Sequence, residues 1–573
     1  MSMNAKLKNP PAARPSVVFN PDLLDGINTI ANLVKPTLGP LPRLVAMERM
    51  DRTKAPELLD DAATLARRIV QLPNPTQDVG AMMLRHALWR MHEVVGDGAA
   101  TTAVLAQALM QHAAKAVAAG ANAMVLRHGI EAGIEAACTA LKQQAQPVTG
   151  SPTARALLSS LVRSICSDDE LAERLSEAVT FAGPNAYIEV VNHEPRRIDR
   201  DYIEGSLIET PWHNANFATD KGRTITRMED VPFVIVEAKI ESSEHAIEGL
   251  RRIHEAGHTK VAIMVGEVGE EAMNVFNALQ HNKVMQIALI KSPGHDATRA
   301  LNLQDIASLT GARLVMGDGQ GFAAIVPEDI GFVRRLWVND KKLGLIGGTR
   351  DSLALRTQIK IVRKDIETLR DLDRLPELRK RLGRLTSSWV MLRVGGVTSG
   401  HAEARQDQAR RLVRALQMAV RSGVVAGGGA GLVACKAAFE SGGILGEGDK
   451  VKGRGGDKVK RTPSPPHPFT LSPNLDYQMG VQCVAKALEA PMTAIVQNAG
   501  YEASPIVARV LEAGLPHGFD VVSKRMVNML EAGVVDSVEV LERALRNAGS
   551  MAAMAITTDA VVHHREPALQ VGT

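Results

Sequence analysis

The 573-residue sequence is poor in aromatic side chains, because phenylalanine, tryptophan and tyrosine together make up only 3% of it. Hydrophobic residues still account for 45%, so the cores must be built mostly from alanine, leucine, valine, isoleucine and methionine. Because strands favour aromatic and β-branched residues, this composition favours a helix-rich protein over an all-β one. The length predicts several domains, or one domain with insertions.

Cysteines and long apolar runs are also scarce. No CxxC pair or Cys/His spacing indicates a zinc site, and no run of about 18 apolar residues predicts a membrane span. The N-terminus, MSMNAKLKNPPAARPS, lacks the apolar region of a secretory signal. We therefore expect a cytoplasmic protein without membrane contacts, with reduced and buried thiols. The four cysteines lie far apart in the chain: Cys138, Cys166, Cys435 and Cys483.

Charge of one sign is not in large excess either. The net charge is +4, which for this length does not by itself predict binding to nucleic acid. One segment, 442–473, is rich in glycine, lysine and proline and has almost no apolar residue before Phe469. Its composition predicts a disordered surface loop. The alternative is a basic contact for an acidic partner.

Three blocks of different pattern follow one another along the chain. A proline-rich start, 1–20, is expected to be loose, and mostly helical periodicity follows to about Gly120. Between Ile203 and Arg335, β-like runs alternate with helical stretches, which predicts a separate α/β domain. Helical patterns return after Gly400 and continue to about Ala548. A domain formed from both chain ends, with another inserted in the middle, explains this order.

Individual elements can be predicted within these blocks. Proline and glycine end several of the helical patterns, and alternating charge over 351–385 predicts solvated helices in a hairpin broken near Pro376. The predicted strands are 232–238, 260–266 and 285–293. The predicted helices are 101–119, 122–146, 243–256 and 270–281.

A Gly-Asp-Gly turn, Gly96 to Gly98, runs directly into an apolar helix. Glycines let the backbone approach a ligand closely, and the helix start offers free N–H groups and a positive dipole end. These features suit a phosphate, and Asp97 suits Mg²⁺, which commonly takes one or two carboxylates with phosphate oxygens. The alternative is an ordinary helix cap. Two other turns, 35–43 and 424–434, are also rich in glycine or proline, and no GxxxxGK[ST] pattern occurs.

Taken together, these three turns resemble the bacterial-type (group I) chaperonins, the GroEL type. TLGP (37–40), GDGAAT (96–101) and GVVAGGG (423–429) match the family's TLGP turn, GDGTTT loop and GVVAGGG turn. Further matching stretches extend the resemblance over roughly residues 25–562. They include LQDIASLTGARL (303–314), APMTAIVQNAGYEASPIV (490–507) and ITTDAVV (556–562).

The resemblance implies the chaperonin fold, a multidomain α and α/β architecture. It implies a mostly helical equatorial domain (1–143 and 422–573), a hinge-like intermediate domain (144–203 and 390–421) and an inserted α/β apical domain (204–389). It also implies an ATP-dependent molecular chaperone that binds unfolded polypeptide in an oligomeric ring, with Mg²⁺ and often K⁺. Implied partners are further copies of the chain in paired seven-membered rings and a small co-chaperonin, and a divergent member could also assemble in mixed rings with an ordinary chaperonin.

The family's functional residues fall on defined positions of this sequence. Asp97 matches the magnesium ligand and Asp61 the aspartate that helps to orient the attacking water. The positions that match ATP-binding residues are Thr37, Leu38, Gly39, Pro40, Asp97, Gly98, Ala99, Ala100, Thr101, Gly428, Asp520, Val521, Val522 and Asp536. The positions that match apolar polypeptide-binding residues are Trp212, Phe217, Ile247, Leu250 and Met273.

The departures from the family concern hydrolysis. The family's hydrolytic aspartate is Arg411 here, and a cation cannot serve as a base, although it can hold a terminal phosphate. Alanines 99 and 100 replace two threonines, and Asp60 replaces a lysine. A missing carboxylate typically costs about 10²–10⁴ in rate, so we expect nucleotide binding with slow or absent hydrolysis. The alternative is that another carboxylate, such as Asp407 one turn earlier, substitutes.

Three functions remain open at this point. The first is a general folding chaperonin. The second is a divergent paralogue that binds ATP, hydrolyses it slowly or not at all, and acts on few clients or as an assembly subunit. The third is a scaffold whose basic loop binds an acidic partner.

Overall fold

A computed structural model gives the fold of most of the chain. It describes residues 13–17, 21–48, 56–148, 154–166, 168–183, 186–193, 198–218, 225–237, 239–282, 284–294, 296–316, 320–348, 353–369, 371, 374–386, 388–396, 399–437, 439 and 473–564. The predicted disordered loop, 442–473, lies outside this range except for its last residue, Pro473, which begins a helix.

Helices account for most of the described structure. They are α1 (Pro21–Val34), α2 (Ala62–Arg68), α3 (Pro75–Val94), α4 (Ala99–Ala118), α5 (Ala123–Gln144), α6 (Ala154–Ile165), α7 (Asp169–Ala182), α8 (Ser243–Glu255), α9 (Glu270–His281), α10 (Asp296–Thr310), α11 (Gln320–Ala323), α12 (Leu353–Thr368), α13 (Leu375–Leu385), α14 (Ser399–Ser422), α15 (Ala430–Ala434), α16 (Pro473–Ala487), α17 (Ala490–Asn498), α18 (Ala503–Ala513) and α19 (Val538–Ile556). No helix in the described part of the chain is long and apolar enough to cross a membrane.

Strands are shorter and are grouped in small sheets outside the middle of the chain. They are β1 (Ala13–Val17), β2 (Val45–Met47), β3 (Glu57–Leu59), β4 (Tyr187–His193), β5 (Ile198–Glu204), β6 (Ser206–Ile208), β7 (Thr226–Val236), β8 (Lys260–Val265), β9 (Gln286–Lys291), β10 (Leu314–Val315), β11 (Gly331–Val338), β12 (Leu343–Ile346), β13 (Ser388–Gly395), β14 (Val424–Ala426), β15 (His517–Asp520), β16 (Arg525–Asn528), β17 (Val535–Ser537) and β18 (Ala560–His564).

The chain divides into two compact units. The first combines Met1–Glu177 with Gln408–Thr573, and the second is Ala178–Asp407. Both chain ends thus belong to one unit and the middle of the chain forms the other. The finer division into equatorial, intermediate and apical ranges stays a prediction.

The first unit is organised around α4, whose alanine-rich sequence leaves little side-chain volume and lets neighbouring helices approach closely. Most of its residues are buried against α1, α3, α16 and α19. Its one buried amide, Gln107, donates to Asn28 and Asn32 of α1 at 3.0 and 2.9 Å, which satisfies the polar group in the core. Helix α5 follows and is capped by Asn122, whose side chain accepts from the backbone N–H groups of Met124 and Val125.

Short strands in the first unit were missed by the sequence patterns. Residues 13–17, expected to be loose, form β1, which pairs antiparallel with β18 in the register Ala13 to His564. The strands of the pairs β2–β3, β14–β17 and β15–β16 are shorter still. Such short strands leave no clear two-residue periodicity, and in β1–β18 and β14–β17 the partner strand also lies far away in sequence.

The second unit contains the predicted α/β domain. Its main sheet has seven strands among the described residues, with β7, β8 and β9 parallel and β11, β12 and β6 added antiparallel. Strands β8 and β9 begin within one residue of their predicted starts, whereas β7 begins six residues before its predicted start, at Thr226. The predicted helical hairpin is present as α12 and α13, with Pro376 in the first turn of the second helix.

A three-stranded sheet and a buried ion pair complete the second unit. Strand β13 pairs parallel with β4 and antiparallel with β5. Arg381 of α13 donates two hydrogen bonds to Asp305 of α10, at 2.8 and 2.9 Å, and Gln358 of α12 donates a third to the same carboxylate. The buried charges are therefore paired and hydrogen-bonded, as burial requires.

All four cysteines are free and buried, as the sequence predicted. Burial raises the pKa of the Cys138 thiol to about 11 and that of the Cys435 thiol to about 12. These thiols are therefore protonated and unreactive at neutral pH.

The contact between α5 and α16 gives a test of the first unit's packing. A Cβ atom on Gly129 would lie 2.1 Å from the carbonyl oxygen of Tyr477, which is backbone and cannot move aside alone. We expect Gly129→Ala to destabilise the protein by about 2–3 kcal/mol, because the two helices must separate. Thr139→Ala, on the exposed face of the same helix, should change stability by less than about 0.5 kcal/mol. Equal denaturation midpoints for the two variants would contradict this packing.

Candidate functional site

One cavity of about 530 Å³ in the first unit collects the residues that the sequence singled out. Asp61 and Arg411 line it, although they are 350 positions apart. So do all the predicted ATP-binding positions: Thr37, Leu38, Gly39, Pro40, Asp97, Gly98, Ala99, Ala100, Thr101, Gly428, Asp520, Val521, Val522 and Asp536. The structure therefore brings the predicted residues together, while their role in nucleotide binding stays a prediction.

The Gly-Asp-Gly turn is fixed at the start of α4 by its two glycines. Both have positive φ, 86° at Gly96 and 80° at Gly98, a conformation that side chains rarely adopt. A Cβ on Gly96 would lie 2.3 Å from the carbonyl oxygen of Arg411, so the turn lies directly against the backbone of α14. Gly98 is the cap residue of α4, and its carbonyl accepts from the Thr102 hydroxyl at 2.8 Å. Because α4 starts at the cavity wall, its first N–H groups are available to a phosphate.

The 37–40 turn is held by an amide from another helix. Asn498, at the end of α17, donates from its Nδ2 to the carbonyl oxygens of Lys35 and Leu38, both at 2.9 Å. The Thr37 hydroxyl donates back to the carbonyl of Val34 at 2.7 Å. The turn is thus held by hydrogen bonds at both ends. The Thr37 hydroxyl is already used as a donor to Val34, so its proton is not available to a ligand in this arrangement.

The far end of the chain supplies another part of the cavity wall. Strands β14 and β17 pair so that Val425 lies opposite Asp536, and Gly428 follows in a left-handed conformation. This pairing places the glycine turn and Asp536 side by side, which sequence spacing alone could not show.

The stretch Asp520 to Val522 lies at the tip of the β15–β16 hairpin. The two carboxylate oxygens of Asp520 accept from the backbone N–H groups of Val522 and Ser523, at 3.0 and 3.1 Å. Val521 is buried and Val522 is exposed. The Asp520 carboxylate therefore shapes the turn, and the two valines give this part of the wall an apolar character.

The charge of the cavity wall is negative. Among the described lining residues, the acidic side chains are five aspartates, Asp60, Asp61, Asp97, Asp520 and Asp536, and the strongly basic ones are two arginines, Arg163 and Arg411. A polyphosphate would be repelled by this wall unless a cation entered with it.

The donor set around Asp97 fits Mg²⁺. Burial raises the pKa of Asp97, although a backbone hydrogen bond from Gly98 and the charge of Arg411 oppose the rise. Burial and the Asp97 charge also raise the pKa of Asp536, to about 7. Two carboxylates held close in this way favour a divalent cation. In the described part of the chain no cluster of three or more histidine, cysteine or acidic side chains could hold a metal alone, so phosphate oxygens would have to complete the coordination.

Arg411 does not stand free in the cavity. Its Nη1 lies 2.7 Å from Oδ1 of Asp61, so the arginine at the predicted hydrolytic position pairs with the carboxylate that is predicted to orient water. Oδ2 of the same carboxylate accepts from the N–H and hydroxyl of Thr64, which makes Asp61 the cap of α2. The Nδ1 atom of His92 lies 3.4 Å away. Burial alone would raise the pKa of Asp61, but the His92 contact and the Arg411 charge hold it well below its usual value.

Helix α3 supports this arrangement from behind. The His92 ring stacks on Trp89 one turn earlier, with ring centres 4.8 Å apart and an interplanar angle of 13°. The guanidinium of Arg67, at the end of α2, lies 3.9 Å from the Trp89 ring centre. Helix α2 is therefore anchored to α3 at both ends, by Asp61 and by Arg67.

Several lining residues were not found from the sequence. His92 lines the cavity together with a group on α6, and the 37–40 turn depends on Asn498. The helix α6 residues are Ser160, Arg163, Ser164 and Ile165. Nothing local distinguishes them from ordinary helix residues, although Asn498 does lie in a stretch that matches the family.

The two acidic side chains considered near Arg411 occupy different places. Asp60 lines the cavity and is exposed, so it adds negative charge as expected. Asp407 is exposed and is not among the lining residues. Its substitution for the missing hydrolytic carboxylate has no support in this structure.

The predicted polypeptide-binding side chains differ in their exposure, and their role in client binding stays a prediction. Trp212, Phe217 and Leu250 are buried in the second unit, with at most 7% of their surface exposed. They pack on the two faces of its main sheet, where aromatic and aliphatic side chains fill the core. Met273 is partly buried against the same core, and Ile247, on α8, is 53% exposed. Of the five, Ile247 is therefore the most exposed side chain, and Met273 is partly accessible.

Comparison with known proteins agrees with this architecture. The structure resembles the crystal structure of the chaperonin gp146 from the bacteriophage EL 2 (Pseudomonas aeruginosa), obtained in the presence of ATP-BeFx. For crystal form I the TM-score is 0.64 at 16% sequence identity, over 96% of this chain and 99% of the other. Crystal form II gives a TM-score of 0.57 with the same identity and coverage. At this identity the likeness shows the fold alone, which confirms the predicted chaperonin fold.

Sequence comparison extends from fold to family. The model of the TCP-1/cpn60 chaperonin family matches residues 30–566. The chain therefore belongs to the TCP-1/cpn60 chaperonin family, and this membership supports a chaperone role. Its placement in the bacterial group I branch stays a prediction.

The raised pKa of Asp536 predicts a pH-dependent stability in protein free of metal and nucleotide. A carboxyl whose folded pKa is above its unfolded value stabilises the fold at acid pH, and this contribution is lost as pH rises through about 7. We compare the free energy of unfolding of Asp536→Asn with that of the wild type at each pH. The variant should gain about 1–2 kcal/mol more over the wild type at pH 8 than at pH 5, allowing for water in the cavity. Thermal unfolding in EDTA at both pH values measures this.

The exposed Asp60 on the same cavity wall provides the matched control. Asp60→Asn should change stability by a similar small amount at both pH values. If the Asp536→Asn effect is the same at pH 5 and pH 8, Asp536 does not have the raised pKa that its surroundings indicate.

Proposed function

We propose that this chaperonin is an ATP-dependent molecular chaperone that binds ATP and Mg²⁺ in the cavity of its first unit and hydrolyses ATP slowly or not at all. One observation carries the proposal. The predicted phosphate-facing turns and Asp97 share a single cavity, while the hydrolytic position, Arg411, forms an ion pair with Asp61.

The cavity wall supports binding of a magnesium nucleotide. Asp97 would hold Mg²⁺, with Asp536 nearby, and the start of α4 would offer N–H groups to the phosphates. The bound cation would offset the excess of aspartates and polarise the terminal phosphate. Alanines 99 and 100 remove two hydroxyl ligands, which leaves more of the phosphate binding to the backbone.

The Arg411 ion pair supports slow hydrolysis. A general base or water-orienting group must accept a hydrogen bond from water, and a guanidinium has no acceptor. Asp61 is the one carboxylate that remains at this position, and a cation, Arg411, stands beside it where the family has a second carboxylate. The cavity can thus bind a nucleotide without activating water for attack.

Family membership and the sequence support a proposal for assembly and location. Members of this family form ring oligomers and bind unfolded clients, and we propose that this chain does so in the cytoplasm, in paired rings. A small co-chaperonin and mixed rings with an ordinary chaperonin are part of the same proposal. Burial of three of five predicted client contacts favours a narrow client set over general folding.

Helix α8 illustrates why client binding would be narrow. Ile247 is exposed on this helix, but its neighbours Glu248, Arg251 and Arg252 form a network of ion pairs. Unfolded polypeptides are captured mainly through apolar contact, and a strongly charged face offers little of it.

The direct test is steady-state ATP hydrolysis by the purified protein, beside an ordinary group I chaperonin under the same conditions. We expect turnover slower by about 10²–10⁴, the usual cost of losing one positioned carboxylate. Arg411→Asp should raise turnover, because it restores a carboxylate at the hydrolytic position. Comparable turnover by the wild-type protein would show that another group replaces the missing carboxylate.

Nucleotide binding must be measured separately from turnover. Calorimetry with ATP and Mg²⁺ should show binding by the wild-type protein, and Asp97→Asn should weaken it and remove its dependence on Mg²⁺. Absence of binding by a folded wild-type protein would rule out the ATP-dependent function.

Client capture provides the test of the second unit. We expect Ile247→Ser to weaken binding of an unfolded model protein, reduced and carboxymethylated α-lactalbumin, by roughly fivefold, the cost of losing part of one apolar contact. Leu353→Ser is the matched control, because Leu353 is 81% exposed on another helix of the same unit. Equal loss in both variants would indicate nonspecific capture, and no loss in either would place the client site elsewhere.

A further inference from the structure

We propose that Arg411 makes the nucleotide site selective for a triphosphate over a diphosphate, by exchanging its partner Asp61 for the terminal phosphate. The proposal rests on the proposed nucleotide binding and adds to it a selectivity residue that acts through an ion-pair exchange. The exchange gives the Arg411 cation a role in the cavity other than hydrolysis, which a cation cannot support.

The position of Arg411 gives it access to the phosphate end of the cavity. It lines the cavity on α14, and its backbone carbonyl lies against the Gly96 turn that carries Asp97. Its charge acts on both Asp61 and Asp97. The guanidinium is therefore close to the proposed metal ligand, where the terminal phosphate of a magnesium nucleotide would also be held.

No other cationic side chain among the described lining residues is equally well placed to contact a terminal phosphate. In the part of the chain that the structure describes, the lining arginines are Arg163 and Arg411. Arg163 is half-exposed and pairs at 2.7 Å with Asp169, a residue that does not line the cavity. Arg411 is 23% exposed, in contact with a carboxylate that is itself on the wall.

Asp61 can lose Arg411 without being left unpaired. Its Oδ2 accepts from the N–H of Thr64 at 2.8 Å and from the Thr64 hydroxyl, and His92 lies beside the same oxygen. Only the bond at Oδ1 depends on Arg411. The exchange therefore leaves no buried carboxylate without a hydrogen bond, which would otherwise be strongly unfavourable.

The exchange favours the triphosphate because of charge and geometry. A phosphate carries more negative charge than a carboxylate, and the planar guanidinium can contact two of its oxygens at once. A diphosphate lacks the terminal group, so with it Arg411 stays on Asp61. Arg411 then contributes to the affinity for ATP and little to the affinity for ADP.

The experiment measures dissociation constants for Mg²⁺–ATP and Mg²⁺–ADP with the full-length protein. Arg411→Gln should weaken ATP binding by roughly tenfold or more, the usual effect of losing a charge-assisted hydrogen bond, and ADP binding by less than about threefold. Arg410→Gln, an exposed neighbour on the same helix, should leave the ATP to ADP affinity ratio unchanged. Thermal unfolding confirms that each variant is folded.

Asp61→Asn separates selectivity from a structural role. Asparagine still caps α2, but it holds Arg411 less strongly, so ATP binding should tighten by about threefold to tenfold relative to ADP. In the Arg411→Gln background the same change should have a smaller effect on this ratio, because the exchange is already lost. A merely structural ion pair would make both single variants weaken ATP binding.

Each outcome decides between the alternatives. Equal losses for ATP and ADP in Arg411→Gln, or an Asp61→Asn gain of the same size in both backgrounds, would overturn the exchange while leaving nucleotide binding intact. A folded wild-type protein that binds neither nucleotide would overturn the proposed function and this inference together.

Discussion

The packing of α4 is the constraint on which the site depends. Its small side chains let α1, α3, α16 and α19 close around it, which fixes the direction in which the helix starts and so the place of the Gly-Asp-Gly turn. The turn then lies on the backbone of α14 because Gly96 has no side chain. The position of Asp97 in the cavity is therefore set by this contact between a helix start and the side of another helix, and so by the packing of the core.

The sequence predicted the main elements but not all of the site. Long periodic segments such as α4, α5 and α8 were found because burial imposes a repeat of 3.6 residues. The three glycine turns pointed to one site through their resemblance to a family. By contrast, His92 and Arg163 lie in ordinary helical patterns, and β14, β15 and β17 are too short to show a period. Except for β15, which pairs locally with β16, these features depend on contacts between distant parts of the chain.

Arg411 and Leu250 show the limits of assigning a role to a residue from the matching position in a protein family. At Arg411 the sequence indicated a loss, a missing carboxylate, but could not indicate that the arginine pairs with Asp61. At Leu250 it indicated a client contact, whereas the side chain fills the core under α8. In both cases the residue type was compatible with two environments, and only the packing of its neighbours decides between them.

The pairing of β1 with β18 has a practical consequence for experiments on this protein. Because the strands are antiparallel with Ala13 opposite His564, the first and the last described residue lie side by side on two paired strands. A short peptide linker between these two residues could therefore join them into a closed chain, and new ends could be opened in an exposed turn elsewhere. Likewise, probes attached at Ala13 and at His564 would report from a single location in the first unit.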